Sequence, residues 1–155
     1  MVPGSGWITR VVSVLVCVFC DISSGRIPAE IVLEEDGFLG FLDIRPLFPG
    51  HCLLIPRSHF EALGDLDQEM VGPLFEKVQL LSRAVPAALD AAGSFVAINN
   101  KVSQSVPHLH VHVVPRNPKD GLKGFFWPRH GYSDEAHIRD TAAAIRAAVL
   151  EEQRA

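Results

Sequence analysis

The segment His108-Leu-His-Val-His-Val-Val114 constrains the fold more than any other part of the sequence, because histidine and aliphatic residues alternate along it. Alternate side chains of a β-strand point to opposite faces of the sheet. His108, His110 and His112 should therefore share one face, roughly 7 Å apart. The aliphatic residues between them would then face a core. The pattern predicts a strand over Leu109 to Val114.

Three imidazoles at alternate positions are more than solubility requires, so they indicate chemistry. Imidazole titrates near neutrality and serves as a metal ligand, a proton carrier or a nucleophile. Two alternatives stay open on the pattern alone: the histidines simply face solvent, or two of them bind one zinc ion. A zinc site would lack a nearby carboxylate ligand, since Asp120 is the next one along the chain.

Length and composition exclude several classes of protein. A chain of 155 residues, 48% of them hydrophobic, can bury one core without cross-links. Its formal net charge of −4 argues against nucleic-acid binding, which needs many cations facing the phosphates. Three cysteines are too few for a disulfide scaffold and favour a reducing compartment, so we expect a cytoplasmic protein.

The apolar N-terminal stretch, residues 7–20, superficially resembles a signal peptide. No small-x-small cleavage site follows it, and its apolar run is well short of the roughly 20 residues that span a membrane. We therefore expect neither secretion nor a membrane partner. The β-branched residues from Val11 to Phe19 favour a strand or an extended lead-in, preceded by a loose extension over residues 1–10.

The remaining patterns predict an α+β fold with a mainly antiparallel sheet. Asp36-Gly37 lies between two apolar runs, which predicts a hairpin that starts near Ile31. Apolar segments at 51–56 and 94–99 are further candidate strands.

Two helices are predicted. Asp67 is a candidate N-cap for a helix that runs towards Ala92 and that Pro73 could break. Ser133 is expected to cap a last helix over residues 133–155. The first helix is supported by an apolar stripe at spacings of three and four, although the sequence leaves open whether the stripe faces a core or a second chain; it comprises Leu74, Val78, Leu81, Val85 and Leu89.

Several landmarks precede the histidine strand in a fixed order. They are Cys17-Val-Phe-Cys20, Phe41-Leu-Asp-Ile44, Pro49-Gly-His51, Ile55-Pro-Arg-Ser-His59, Asn99 and Gln104-Ser-Val-Pro-His108. With the strand, they resemble the histidine triad (HIT) family of nucleotide hydrolases and transferases over about Cys17 to Tyr132. The resemblance implies a HIT-like α+β fold, with a HIT domain at 11–132, a central helix, a C-terminal helix and a two-fold homodimer.

The resemblance also implies the chemistry. His110 would attack the α-phosphorus of a nucleotide, and His112 would hold a phosphate oxygen or supply a proton to the leaving group, with His108 completing the catalytic set. The implied substrates are purine nucleoside phosphoramidates or dinucleoside polyphosphates. The implied nucleotide contacts are Phe19, Ile22, Phe41, Leu42 and Ile44 for the base, Asp43 for the ribose, and Asn99, Gln104 and Ser105 for the phosphates or leaving group.

Two segments near the expected phosphate site leave alternatives open. The family commonly has a glycine-rich stretch between the Asn and the Gln, whereas residues 99–104 here contain no glycine. Asn100 or Lys101 could contribute there instead, which affects leaving-group preference. The aromatic segment 124–129 could pack on the sheet, form a dimer contact, or wall the leaving-group side with Lys123 or Arg129.

The resemblance further implies a structural zinc ion on Cys17, Cys20, His59 and His108, a closed Cys₂His₂ set. The alternative is a pair of reduced thiols without metal, and Cys52 is expected in the core. Two other functions remain open: a noncatalytic, zinc-stabilised nucleotide-binding adaptor, and a metallohydrolase that uses the triad as ligands.

Overall fold

The structure is a computed structural model that describes residues 17–122 and 130–154. It confirms the α+β prediction. In chain order its elements are helix α1 (Val18–Ser23), strands β1 (Ile31–Glu35), β2 (Phe38–Leu42) and β3 (Cys52–Pro56), a 3-10 helix (Leu63–Asp65), helix α2 (Gln68–Leu89), strands β4 (Gly93–Ile98) and β5 (Val111–Arg116), and helix α3 (Glu135–Glu152).

The five strands form one antiparallel sheet in the order β1-β2-β3-β5-β4. The predicted hairpin joins β1 to β2, and its two turn residues, Asp36 and Gly37, have φ of 50° and 80°. Positive φ at both positions matches the right-handed twist of the flanking strands. In the sheet, Leu53 of β3 pairs with His112 of β5, so Leu53 is the cross-strand neighbour of this histidine.

Each face of the sheet has its own apolar cluster. Alternate residues of β3 divide between the two faces, so Leu54 packs towards α2 while Leu53 and Ile55 pack on the α1 side. The larger cluster, on the α2 side, also contains Phe38, Cys52, Leu109, Val111 and Val113, and the smaller one contains Cys17, Phe19, Leu39 and Phe41. The expectation that Cys52 is a core residue is confirmed.

Helix α2 is continuous from Gln68 to Leu89, so the predicted break at Pro73 is wrong. Pro86, also inside the helix, has no N–H for the carbonyl of Ser82. That carbonyl instead accepts a hydrogen bond from the Ser94 hydroxyl of β4, at 3.2 Å. A partner from the sheet thus compensates for the missing helical hydrogen bond.

The apolar stripe of α2 faces the chain's own core along most of its length. Leu74, Val78, Leu81 and Val85 are buried, while Leu89, at the end of the helix, is 48% exposed. Asp90 follows with a left-handed φ of 52° and ends the helix.

Two expectations about local structure are wrong. Val18 and Phe19 lie in a helix rather than in a strand, because a helical turn lets Phe19 pack into the smaller cluster beside Cys17. Asp134, not Ser133, caps α3, since its carboxylate accepts the N–H of His137 at 2.7 Å. The rest of the predicted N-terminal strand, residues 11–16, lies outside the described residues.

The chain forms two compact units, one ending at Asp120 and the other starting at Gly121. The sheet, α1 and α2 belong to the first unit, and α3 to the second. Within residues 17–122 and 130–154, no helix combines the length and the apolar character needed to cross a bilayer.

Candidate active site

The histidine segment runs through the centre of the first unit. Strand β5 begins at Val111, so His108 and His110 lie in the stretch that leads into it. As the alternation predicts, Leu109, Val111 and Val113 all pack into the α2-side cluster. His108 and His110 are only 0% and 3% exposed, which excludes the solvent-facing alternative.

The ring of His110 is held in one tautomer. Its Nδ1 lies 2.7 Å from the carbonyl oxygen of His108, and a carbonyl can only accept. In the neutral ring, Nδ1 therefore carries the hydrogen and the lone pair lies on Nε2. His110 lines a cavity, so this lone pair can serve as a nucleophile or a base there.

His112 is held by a second histidine, His51. The N–H of Leu47 donates to Nδ1 of His51 at 3.2 Å, so Nε2 of His51 carries the hydrogen. That Nε2 lies 2.9 Å from Nδ1 of His112 and donates to it, which places the hydrogen of a neutral His112 on its own Nε2. Burial, followed by the neighbouring His110 and His51, lowers the pKa of His112 to about 4, so the ring is a neutral donor at pH 7.

The role of His51 was missed in the sequence, where it served only as a landmark. Burial also lowers its pKa, against the opposing influence of Asp43. Gly50, directly before it, has φ of +94°, and a Cβ there would lie 2.1 Å from Cδ1 of Leu89. The signal that could have identified His51 is the Pro49-Gly50 turn directly before it. The turn requires glycine, and it places the histidine at the start of a core strand.

A cavity of about 470 Å³ opens beside His110 and His112. Its walls are mainly apolar, with a few polar groups, which is typical of a small-molecule site. Of the predicted nucleotide contacts, it is lined by Phe19, Ile22, Phe41, Leu42, Asp43, Ile44 and Ser105. It is also lined by residues that the sequence did not single out, namely Val18, Ile27, Pro28, Ala29, Arg45, Leu53 and Val106.

Asp43 is the acidic group of the cavity wall. One carboxylate oxygen, Oδ1, accepts the N–H of Arg45 at 2.8 Å, and the other lies 3.7 Å from Nδ1 of His51. The bond from Arg45 orients the carboxylate while leaving lone pairs free to accept hydroxyl donors.

Asn99 and Gln104 are not among the residues that line this cavity. The amide of Gln104 instead holds its loop: its oxygen accepts the N–H of Lys101 at 2.8 Å, and its nitrogen donates to the carbonyl of Glu61. Asn100 accepts the N–H of Leu63 at 2.8 Å. Lys101 has a φ of 68°, so this glycine-free loop adopts a glycine-like conformation that side-chain hydrogen bonds support.

Cys17, Cys20, His59 and His108 come together as the sequence predicts, with their ligand atoms all within 4.8 Å of one another. Sγ of Cys17 lies 3.4 Å from Nδ1 of His108, and Sγ of Cys20 lies 3.3 Å from Nδ1 of His59. Sulfur and nitrogen ligands of one tetrahedral zinc ion would be about 3.5 Å apart. The donor set therefore fits zinc.

Neighbouring groups affect how readily these four side chains can bind a metal. Nε2 of His108 donates to the carbonyl of Pro56 at 2.8 Å, so its Nδ1 presents a lone pair to the thiols. Burial, with Cys17 alongside, raises the pKa of the metal-free Cys20 thiol to about 11. A metal ion bound here would displace that proton.

A second group of metal-ligand types comprises Asp43 and His112 of the cavity wall and the buried His51. The nitrogens of its two histidines are 2.9 Å apart, closer than the roughly 3.3 Å between nitrogens bound to one zinc ion. This spacing is that of a hydrogen bond. The triad imidazoles also have three different partners, which argues against the metallohydrolase alternative.

The predicted roles of Lys123, Arg129 and the aromatic residues between them fall outside the described residues.

Comparisons with known proteins identify the family of this chain. A family model described as the HIT domain matches residues 24–119. The protein named hit of Bacillus subtilis is 36% identical over 116 residues, which cover 74% of this chain and 80% of the relative. The adenosine 5′-monophosphoramidase hnt1 of Schizosaccharomyces pombe is 31% identical over 121 residues, which cover 77% of this chain and 88% of the relative.

Solved structures are also similar. A crystal structure of a HIT-family protein from Bacillus subtilis has a TM-score of 0.77 at 32% identity, covering 84% of this chain and 95% of that one. A zinc-bound histidine triad family protein from Mycobacterium smegmatis has a TM-score of 0.66 at 38% identity, covering 86% and 97%. The fold, the histidine segment and these matches lead to one conclusion: the chain belongs to the HIT family of nucleotide-binding hydrolases and transferases.

Proposed function

We propose that this protein cleaves a purine nucleoside phosphoramidate or a dinucleoside polyphosphate at the α-phosphate, through a covalent nucleotidyl-histidine on His110. The observation that carries the proposal is the tautomer of His110. Its Nδ1 hydrogen is engaged by the His108 carbonyl at 2.7 Å, so in the neutral ring the lone pair lies on Nε2, and His110 lines the cavity. A neutral imidazole nitrogen is an effective nucleophile towards phosphorus.

The reaction has two displacements. Nε2 of His110 forms a bond to the α-phosphorus while the bond to the leaving nitrogen or oxygen breaks, and the leaving group takes up a proton from solvent or from the N–H of His112. Water then attacks the phosphorus, the bond to Nε2 breaks, the water gives up a proton that replaces the one consumed, and the nucleoside monophosphate is released. In both steps the N–H of neutral His112 can stabilise charge on a nonbridging oxygen, with its direction fixed by His51.

The cavity supports a nucleotide as the substrate. We propose that the base lies between the apolar side chains of α1 and β2, including Phe19 and Phe41, and that Asp43 accepts the ribose hydroxyls. Ser105 lines the same cavity, and its hydroxyl would contact the phosphates. The phosphoramidase name of the fission-yeast relative supports the phosphoramidate class. Gln104 would act indirectly, by holding the loop.

We further propose that Cys17, Cys20, His59 and His108 hold a structural zinc ion. The four donors fill a tetrahedral shell, so no position remains for substrate or water. A bound ion would cross-link the start of α1 to the segments that carry His59 and His108. The zinc-bound relative from Mycobacterium smegmatis supports this assignment.

We also propose a two-fold homodimer. Strand β4 lies at an edge of the sheet, and its Val96 is 39% exposed. Phe75 and Leu80 of α2, which packs on β4 and β5, are exposed as well. Large apolar groups beside an open strand edge are typical of a surface that another chain covers.

The nucleophile is tested by rapid-quench intact-mass spectrometry with adenosine 5′-phosphoramidate. We expect a transient mass equal to protein plus one adenylyl group, which His110→Ala abolishes. His130→Ala, which replaces an exposed histidine of the second unit, should retain it. Tight nucleotide binding without adduct or turnover would favour the noncatalytic adaptor instead.

A further inference from the structure

Helix α1 contributes residues both to the candidate metal site and to the cavity. Cys17 immediately precedes it and Cys20 lies within it, and their Sγ atoms face the imidazoles of His108 and His59. Three other residues of the same six-residue helix, Val18, Phe19 and Ile22, line the cavity. Half of the metal ligands and part of the proposed base wall therefore belong to one short element.

Phe19 connects these two sites directly. It is buried, and its ring centroid lies 5.9 Å from that of His108, a metal-ligand candidate, and 5.2 Å from that of His110, the proposed nucleophile. It also packs edge-to-face on Phe41 of the cavity wall, at 5.5 Å. A shift of this ring would change the metal ligand, the nucleophile and the cavity together.

The other hydrogen bonds of α1 lie mainly in its C-terminal half, at Asp21 and Ser23. A helix of six residues has no appreciable stability alone, and no side chain caps its N-terminus. At its other end, the Arg57 guanidinium donates to the carbonyl of Ser23 at 2.7 Å. Without a metal, its first turn is held by thiol–imidazole contacts of 3.3–3.5 Å and by the packing of Phe19.

We propose that metal binding and nucleotide binding are thermodynamically linked through α1, with Phe19 as the residue that transmits the linkage. Each ligand restrains the helix in the position that the other requires, so the second to bind meets less conformational freedom to remove. The linkage is reciprocal: nucleotide raises the affinity for metal by the same factor by which metal raises the affinity for nucleotide. This inference rests on the proposed nucleotide and zinc sites.

The experiment uses the full chain, zinc as the metal and adenosine 5′-monophosphate as the nucleotide. Zinc affinity is measured by competition with a chelating dye, with and without saturating nucleotide. Nucleotide affinity is measured by calorimetry on the zinc-loaded and the zinc-free protein. We expect both affinities to rise by one common factor of about tenfold, within the 5- to 150-fold range usual for coupled sites.

Two variants locate the linkage. Phe19→Ala should bring the factor by which each ligand raises the affinity for the other close to one. Ile22→Ala also removes an apolar group that α1 contributes to the cavity, but Ile22 makes no ring contact with a histidine. Ile22→Ala should weaken nucleotide binding equally with and without zinc, so the coupling factor between the two ligands should be unchanged.

Each negative result has its own meaning. If both ligands bind but neither alters the affinity of the other, the linkage is refuted while both sites stand. A factor that persists in Phe19→Ala refutes the assigned route. Failure to bind zinc, or failure to bind nucleotide, would refute the corresponding proposed site and the linkage with it.

Discussion

Nε2 of His51 lies 2.9 Å from Nδ1 of His112, and the N–H of Leu47 fixes which of the two rings donates. His51 precedes β3 and His112 lies in β5, so the contact joins the two central strands diagonally. Through it, His51 determines the tautomer of neutral His112, the residue proposed to contact the phosphate.

His51→Ala should lower kcat about 10- to 100-fold, somewhat less than the loss expected from removing a transition-state donor itself. His51→Gln should recover part of this loss, because its amide N–H can donate to Nδ1 of His112. Steady-state kinetics on both variants, with circular dichroism to verify folding, measure the effect. Equal losses in the two variants would contradict a role through the tautomer.

Stability should fall as the pH is lowered from about 6.5 towards 4, in part because of His112. Its folded-state pKa of about 4 is below the ordinary value of 6.5, so the unfolded chain binds the proton first in this range. Urea denaturation at pH 7 and pH 5, with chelator throughout, should show a smaller loss in His112→Asn than in the unmodified protein. An identical loss would mean that His112 titrates normally.

Metal removal should lower the melting temperature without unfolding the domain, because both apolar clusters remain. A zinc ion present at a thousand times its Kd contributes about 4 kcal/mol, or about 10 °C in a domain of this size. Thermal melts with and without chelator measure the shift, and elemental analysis should give one zinc per chain. Cys20→Ser should lose the metal and the shift, whereas Cys52→Ala should keep both.

Leu74→Ala should reduce the free energy of unfolding by about 2–5 kcal/mol, since Leu74 is fully buried where α2 meets the sheet. Gln79→Ala, on the exposed side of the same helix, should change it by less than about 0.5 kcal/mol. Denaturant titrations compare the two. A small effect of Leu74→Ala would mean that α2 is not packed as described.

Ser94→Ala should cost about 1 kcal/mol, because it removes the donor that satisfies the Ser82 carbonyl opposite Pro86. Ser82→Ala removes a hydroxyl that donates within the helix to Gln79, and alanine favours helix there, so little or no loss is expected. If Ser94→Ala also leaves the free energy of unfolding unchanged, water donates to the Ser82 carbonyl as well as the hydroxyl does.

Much of the site follows from local patterns. The alternation of His108 to Val113 gives the two faces of β5 without any tertiary information. The type of residue at Cys17, Cys20, His59 and His108, taken with the family resemblance, gives the candidate metal ligands, and the structure brings them together.

Other features depend on strand register and packing. The contact of His51 with His112 follows from how β3 pairs with β5, which no local pattern specifies. The helical conformation of Val18 and Phe19 opposes their β-propensity and results from burial of Phe19 beneath the thiols. The continuity of α2 at Pro86 depends on a hydroxyl from another strand.

The division of β3 between the two apolar clusters determines which substitutions in this strand affect which face of the sheet. Side chains of β3 alternate between them, so neighbouring positions in one strand are subject to different selection. Substitutions at Cys52 or Leu54 act on stability and can be balanced elsewhere along α2. Those at Leu53, which pairs with His112 and lines the cavity, or at Ile55 of the same cluster act on the face that carries the proposed active site. The sheet thus separates positions that affect stability from positions beside the proposed nucleotide site.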